Sequence, residues 1–245
     1  MFEPNNNNRY FSAGEGTIDV SASRAFMRQV FSWMTVAMLL TALTAYWFAN
    51  TPSLIMSLIN TTTGGLTALG WVVTLAPIGF VLLMSFGFQR LSPAVLTLLF
   101  VTFSVLMGMS LSFILLVYTS ASVFKTFIVT AIMFGVMAIT GYTTKTDLTK
   151  FGAIMFMGLI GLVVAMLVNM FLQSGTMDYI ISIIGVLVFT GLTAYDVQRL
   201  KKMSAGAGEF GEDNARKLSI MGAMTLYLDF INLFIFLLRF LGDRK

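Results

Sequence analysis

The chain has no cysteine and no histidine. The first absence excludes disulfides, thiolate metal sites and a thiol nucleophile. The second removes the usual pH switch and the commonest metal ligand, so any proton sensing falls to carboxylates. Charge is scarce as well. Only 11% of residues are charged, against roughly 25% in an average soluble domain. No charged residue occurs between Arg28 and Arg90, between Arg90 and Lys125, between Lys125 and Lys145, or between Lys150 and Asp178. The G-x-x-x-x-G-K-[ST] phosphate loop is missing, which leaves an ATP-driven pump without support, and so is the H-E-x-x-H zinc motif. The net charge of +4 reads as loop charge that orients membrane helices, not as a nucleic-acid surface.

What the chain has is hydrocarbon. Its residues are 57% hydrophobic, in runs that reach the roughly 20 residues a spanning helix needs. The expected class is an all-α polytopic membrane protein with seven transmembrane helices. Their expected spans are 26–49, 66–88, 93–118, 122–141, 151–172, 177–200 and 218–241. Pro77 is expected to kink the second, and Pro93 suits the first turn of the third. A short apolar piece at 54–59 fits the membrane interface. Polar loops are expected at 142–150 and 201–217. Residues 1–25 form a polar, Asn-rich tail without the pattern of a secretory signal peptide, and residues 26–242 form one transmembrane domain. No internal repeat is evident. With a cytoplasmic N-terminus, eleven of the 15 Lys and Arg residues fall inside and four outside, which favours that orientation and, with seven helices, an outside C-terminus. The basic C-terminal tail dissents, and a re-entrant last helix would return it to the inside.

Two aspartates lie within these apolar runs. Asp196 ends Thr190-Gly-Leu-Thr-Ala-Tyr-Asp, and Asp229 sits inside Tyr227-Leu-Asp-Phe-Ile-Asn-Leu-Phe. A carboxylate in hydrocarbon costs about 2.5–3.5 kcal/mol on insertion scales, so such a residue is a functional hypothesis by default. Thr225, Asp229, Asn232, Phe236 and Arg239 step by three and four and form one stripe, expected to face the bundle interior. Thr193 and Asp196 are likewise one turn apart. A plainer reading is that these groups only staple helices together, or that Asp196, close to its helix end, reaches the interface. Arg90 ends the second helix on the side of Asp196 and can be read as a topology-setting charge. Lys145, Asp147 and Lys150 read as a solvated loop, and Lys125 as a snorkelling side chain. The seventh helix has no lysine, so a retinal Schiff base there is excluded. An intramembrane aspartyl protease needs Tyr-Asp on one helix and Gly-x-Gly-Asp on the next. Tyr195-Asp196 meets the first element, but Leu226-Tyr-Leu before Asp229 fails the second.

The segment Met224-Thr-Leu-Tyr-Leu-Asp-Phe-Ile-Asn-Leu-Phe-Ile-Phe-Leu-Leu-Arg239 resembles the signature of the Bax inhibitor family. Ala194-Tyr-Asp-Val-Gln-Arg-Leu-Lys201 is similar to that family's sixth helix end, and Gly141-Tyr-Thr-Thr-Lys-Thr-Asp-Leu-Thr-Lys-Phe-Gly152 to its loop after the fourth helix. The resemblance extends from about residue 24 to 242. It implies a last helix at the centre, wrapped by the other six, and a calcium leak gated by pH through a di-aspartyl pair. By motif that pair is Asp196 and Asp229, and Arg90 takes the place of the family's latch arginine. Its surroundings, Gly87-Phe-Gln-Arg-Leu, lack the basic cluster some relatives carry. The suppression of cell death linked to eukaryotic relatives finds no support in these residues.

The chemistry agrees with that implication. Two carboxylates close together in low dielectric cannot easily both ionise, so they titrate as a pair. Calcium takes six to eight oxygens, more than Asp196, Asp229 and Asn232 supply. Weak binding suits a pathway an ion must also leave. The expected function is a pH-sensitive calcium leak channel or transporter, not an enzyme, in the cytoplasmic membrane of a bacterium. Its partners would be calcium ions, protons and the bilayer, with no cofactor and no nucleic acid. A proton-coupled transporter of another solute is the alternative, and the protease comes third.

Overall fold

The computed structural model describes residues 20–60, 64–204 and 211–245. They form eight helices: α1 (Val20–Asn50), α2 (Pro52–Leu58), α3 (Ala68–Gly87), α4 (Pro93–Val117), α5 (Ser120–Thr143), α6 (Thr149–Leu172), α7 (Gly175–Ser204) and α8 (Glu212–Leu241). All but α2 are long and apolar enough to cross a membrane. A helix satisfies its own backbone, which hydrocarbon demands. Threonine and serine start three of them. Thr67 Oγ1 accepts from Gly70 N at 3.0 Å, Ser92 Oγ from Val95 N at 3.4 Å, and Thr119 Oγ1 from Ser122 N at 3.2 Å. Helix α3 runs through the buried Pro77 as one element.

Three expected boundaries move, each for a polar reason. Helix α1 is already helical at Val20, within the expected tail. Ser23 is buried there, its hydroxyl 2.6 Å from that of Ser204, and a search for apolar runs passes over such a start. The expected loop 201–217 contracts from both sides, because α7 continues to Ser204 and α8 starts at Glu212. Lys201 and Lys202 lie in the last turn of α7, and Glu212 and Asp213 in the first turn of α8. Each charge sits at the end of the helix dipole that favours it. The middle of that loop, 205–210, lies outside the described residues, as do 1–19 of the tail and 61–63.

Helices α1, α4, α5 and α7 contact α8 directly, while α3 packs on α4 and α6 on α7. Helix α8 is the most buried span. Tyr227, at its centre, is fully buried, with its ring edge-on to Phe100 and Phe103 at 6.2 and 5.5 Å. The Tyr227 hydroxyl lies 2.7 Å from Thr41 Oγ1, and Thr41 Oγ1 bonds the Ser104 carbonyl at 2.9 Å. One polar thread therefore joins α8, α1 and α4, and such interhelical bonds contribute about 0.6 kcal/mol on average in membranes.

Helix α8 is continuous from Glu212 to Leu241, with no re-entrant break. The chain after it docks on the α4–α5 turn. Lys245 N donates to Val117 O at 2.9 Å, and Thr119 N to Asp243 O at 3.1 Å. The first turn of α1 and the C-terminal tail thus lie at opposite ends of the bundle, as an odd number of spans requires.

Candidate functional site: an aspartate pair inside the bundle

Asp196 and Asp229 are both buried, at 8% and 5% relative exposure. Asp196 lies well inside α7, because the helix continues for two more turns to Ser204. Asp229 projects from α8 toward it, and the two carboxyl groups interact directly. Among the described residues Asp229 Oδ2 is buried without a hydrogen-bond partner. An unsatisfied buried polar group costs about 1–3 kcal/mol, so it calls for an explanation beyond stapling.

The supporting residues divide. Thr193 is buried beside the pair's turn, but its hydroxyl donates to Phe189 O at 2.7 Å within its own helix. Asn232 is half-buried, and its amide donates back to Leu228 O at 2.9 Å. The stripe 225–239 is therefore not uniform. Asp229 and Phe236 face inward, Thr225 and Asn232 sit at the margin, and Arg239 is exposed. Arg239 approaches Asp178 of α7 at 3.6 Å.

Arg90 stands exposed in the turn after α3, its backbone N–H on Gly87 O at 2.9 Å. Among the described residues no ion pair joins it to Asp196. The nearest cation to Asp196 along the chain is Arg199, whose side chain is exposed. It lies three residues further along α7, a spacing that places both on neighbouring turns and that could have singled it out in the sequence.

The segment between α5 and α6 closes over this end of α7. Gln198 is buried and bonds it twice: Leu148 N donates to Oε1 at 2.8 Å, and Nε2 donates to Thr146 O at 2.7 Å. Lys201 Nζ donates to Tyr142 O at 2.7 Å and lies 4.7 Å from the centre of the Tyr142 ring. Lys202 Nζ pairs with Asp147 Oδ1 at 2.6 Å. That bond, with further ones from the Thr149 hydroxyl and N–H, lowers the Asp147 pKa to about 2. Two glycines set the approach. A Cβ on Gly141 would run into the Ala194 carbonyl, and one on Gly152 into the Tyr195 ring. The residues flanking Asp196 are thus held by the two ends of a single loop. The Lys145, Asp147 and Lys150 side chains are exposed, as a solvated loop has them, while the loop's backbone is clamped on α7; the signal available for the clamp was the pair of glycines bracketing it.

Among the described residues no three acidic side chains gather into a metal cluster. The aspartate pair therefore offers a divalent cation a site well short of the six to eight oxygens calcium prefers.

A family model described as "Inhibitor of apoptosis-promoting Bax1" matches residues 23–245. The chain belongs to the Bax inhibitor family. It is 48% identical to the inner membrane protein YbhL of Escherichia coli K12 over 222 residues, covering 91% of this chain and 93% of that relative. It is 41% identical to an uncharacterized protein of Rickettsia prowazekii, covering 91% of each. A protein of Borreliella burgdorferi is 40% identical over 227 residues, covering 93% of this chain and 95% of its own. With seven apolar spans and a bacterial inner-membrane relative, the chain is an integral membrane protein.

Proposed function

We propose that the protein is a pH-sensitive calcium leak channel or transporter of the bacterial cytoplasmic membrane, its N-terminus cytoplasmic, gated by Asp196 and Asp229. One observation carries this reading most: Asp229, on the most buried helix, faces Asp196 and keeps an unpartnered carboxylate oxygen. Two carboxylates in contact hold a proton between them more readily than two charges. Proton loss gives the site negative charge, which draws in a cation. The same charge strengthens the attraction to Arg199, and to Arg90 if α3 brings it near. Ion and arginine compete for the pair, so occupancy of the pathway depends on pH.

The runner-up, a proton-coupled transporter of another solute, uses the same pair. A protease fits less well, because Leu226 and Tyr227, where a Gly-x-Gly turn would be needed, are fully buried in helical packing. Flux into proteoliposomes separates the three. Dye-reported calcium entry without any other solute gradient supports the leak. Strict dependence on a proton gradient with a different cargo supports the transporter, and cleavage of a membrane peptide the protease. Arg90→Ala and Arg199→Ala identify the latch: the residue that serves changes the pH profile of calcium entry, and the other does not.

A further inference from the structure

Between α1 and α5 a cleft of about 630 Å³ opens sideways, with α4 and α8 behind it. That size is ordinary for a ligand site, about 300–1,000 Å³. Its walls are apolar through the depth of the span. Leu39 of α1 and Phe124 of α5 stand 58% and 68% exposed, and Phe234 of α8 is buried at its floor. Its polar lining gathers mainly at one end. Asn50 is the last residue of α1, Ser120 the first of α5, and Lys245 lies past the end of α8. Lys245 Nζ gives one hydrogen bond, to Leu115 O at 2.7 Å, and an ammonium has two more to give. Arg244 lies 5.9 Å from the Tyr118 ring at the same end. Opposing charge is near as well: Asp243, which accepts from Ser122 Oγ at 3.2 Å, and the α-carboxylate that Lys245 carries as the last residue of the sequence.

We propose that this cleft holds one acyl chain of an anionic phospholipid, with its phosphate at Lys245. The cleft opens within the span of the helices, where the available filling is hydrocarbon. The cation stands at helix ends, where a headgroup would lie, and cation and headgroup are complementary in charge. The site is on the opposite face of α8 from the aspartate pair and does not depend on what that pair conducts. Because Phe230 and Phe234 line it, an occupying chain touches the helix that carries Asp229.

The test is photolabelling of the full-length protein in phosphatidylcholine nanodiscs containing a trace of phosphatidylglycerol. The phosphatidylglycerol carries a diazirine in its acyl chain, and labelled peptides are mapped by mass spectrometry. Label should concentrate on Leu39, Phe124 and Phe234 over Leu167 and Phe171 on the outer face of α6. Unlabelled phosphatidylglycerol should compete better than phosphatidylcholine, and Lys245→Gln should narrow that preference about fivefold, the worth of one lysine near anionic lipid. Ala42→Trp, which fills the cleft, should abolish cleft labelling and leave the α6 labelling unchanged. If that variant does not fold, Leu43→Trp, at a position 67% exposed, replaces it. Even labelling of all outer faces, cleft labelling that survives the tryptophan, or crosslinks joining two copies of the chain at this face would each overturn the proposal.

Discussion

Helices α6 and α8 are built from similar residues and live in opposite surroundings. Helix α6 is the more apolar, yet only 11% of its most apolar stretch is buried in the protein, against 72% for α8. In a soluble protein the order would be reversed. Here the solvent is lipid, which is as apolar as leucine, so apolarity gives no reason to leave it. What draws α8 inward is its polar and aromatic content: Asp229, the Tyr227 hydroxyl on Thr41, and rings that pack on Phe100, Phe103 and Phe134. Helix α6 lacks such groups at its centre and presents Met157, Leu167 and Phe171 outward. Inside a membrane bundle, polarity marks the interior.

Glycine substitutions should separate the two environments most. Gly141→Leu, in the same buried interior that holds α8 but where α5 meets α7, places a side chain against the Ala194 carbonyl, where overpacking costs about 1–3 kcal/mol and occasionally more. Gly161 of α6 has nothing within 4 Å of its Cβ position, and Gly161→Leu should stay within about 0.5 kcal/mol. Unfolding in mixed micelles measures both, and equal losses would break the contrast. Tyr227→Phe should cost less, about 0.6 and at most about 1.7 kcal/mol, while Leu167→Phe on α6 should be silent in the same assay. The smallest effect belongs to Asp147. Its pKa is lowered from 3.8 to about 2, so its contribution to stability is complete above the higher value and lost as pH falls through the lower. The Lys202–Asp147 pair is solvent-exposed, and such pairs are weak. Asp147→Asn should therefore leave the thermal midpoint nearly unchanged at pH 7 and flux between about pH 5 and 8 unaltered.

The same comparison explains how much the sequence disclosed. Uncharged runs delimit spanning helices because hydrocarbon excludes charge, and all seven expected spans are present as helices. Runs without charge are blind to helix continuing into polar surroundings, which is why α1 starts earlier and α7 and α8 reach further toward each other. Asp196 and Asp229 were legible because a membrane carboxylate is costly wherever it lies. Helical spacing put Asn232 on the same face as Asp229, but it could not show that Asn232 would bond to Leu228 instead. Gln198 was overlooked since a residue near a helix end looks solvated until the α5–α6 segment folds over it, and Arg199, which stays exposed, looked like an ordinary surface charge.

Calcium entry into proteoliposomes between about pH 5 and 8 tests the account most directly, for the parent protein, Asp229→Asn, and the double Asp196→Asn, Asp229→Asn variant. The parent flux should titrate across this range, the single variant should lose most of the pH dependence, and the double variant should lose all of it. A flat profile for the parent, or a full titration surviving in the double variant, would contradict the assignment of gating to the aspartate pair.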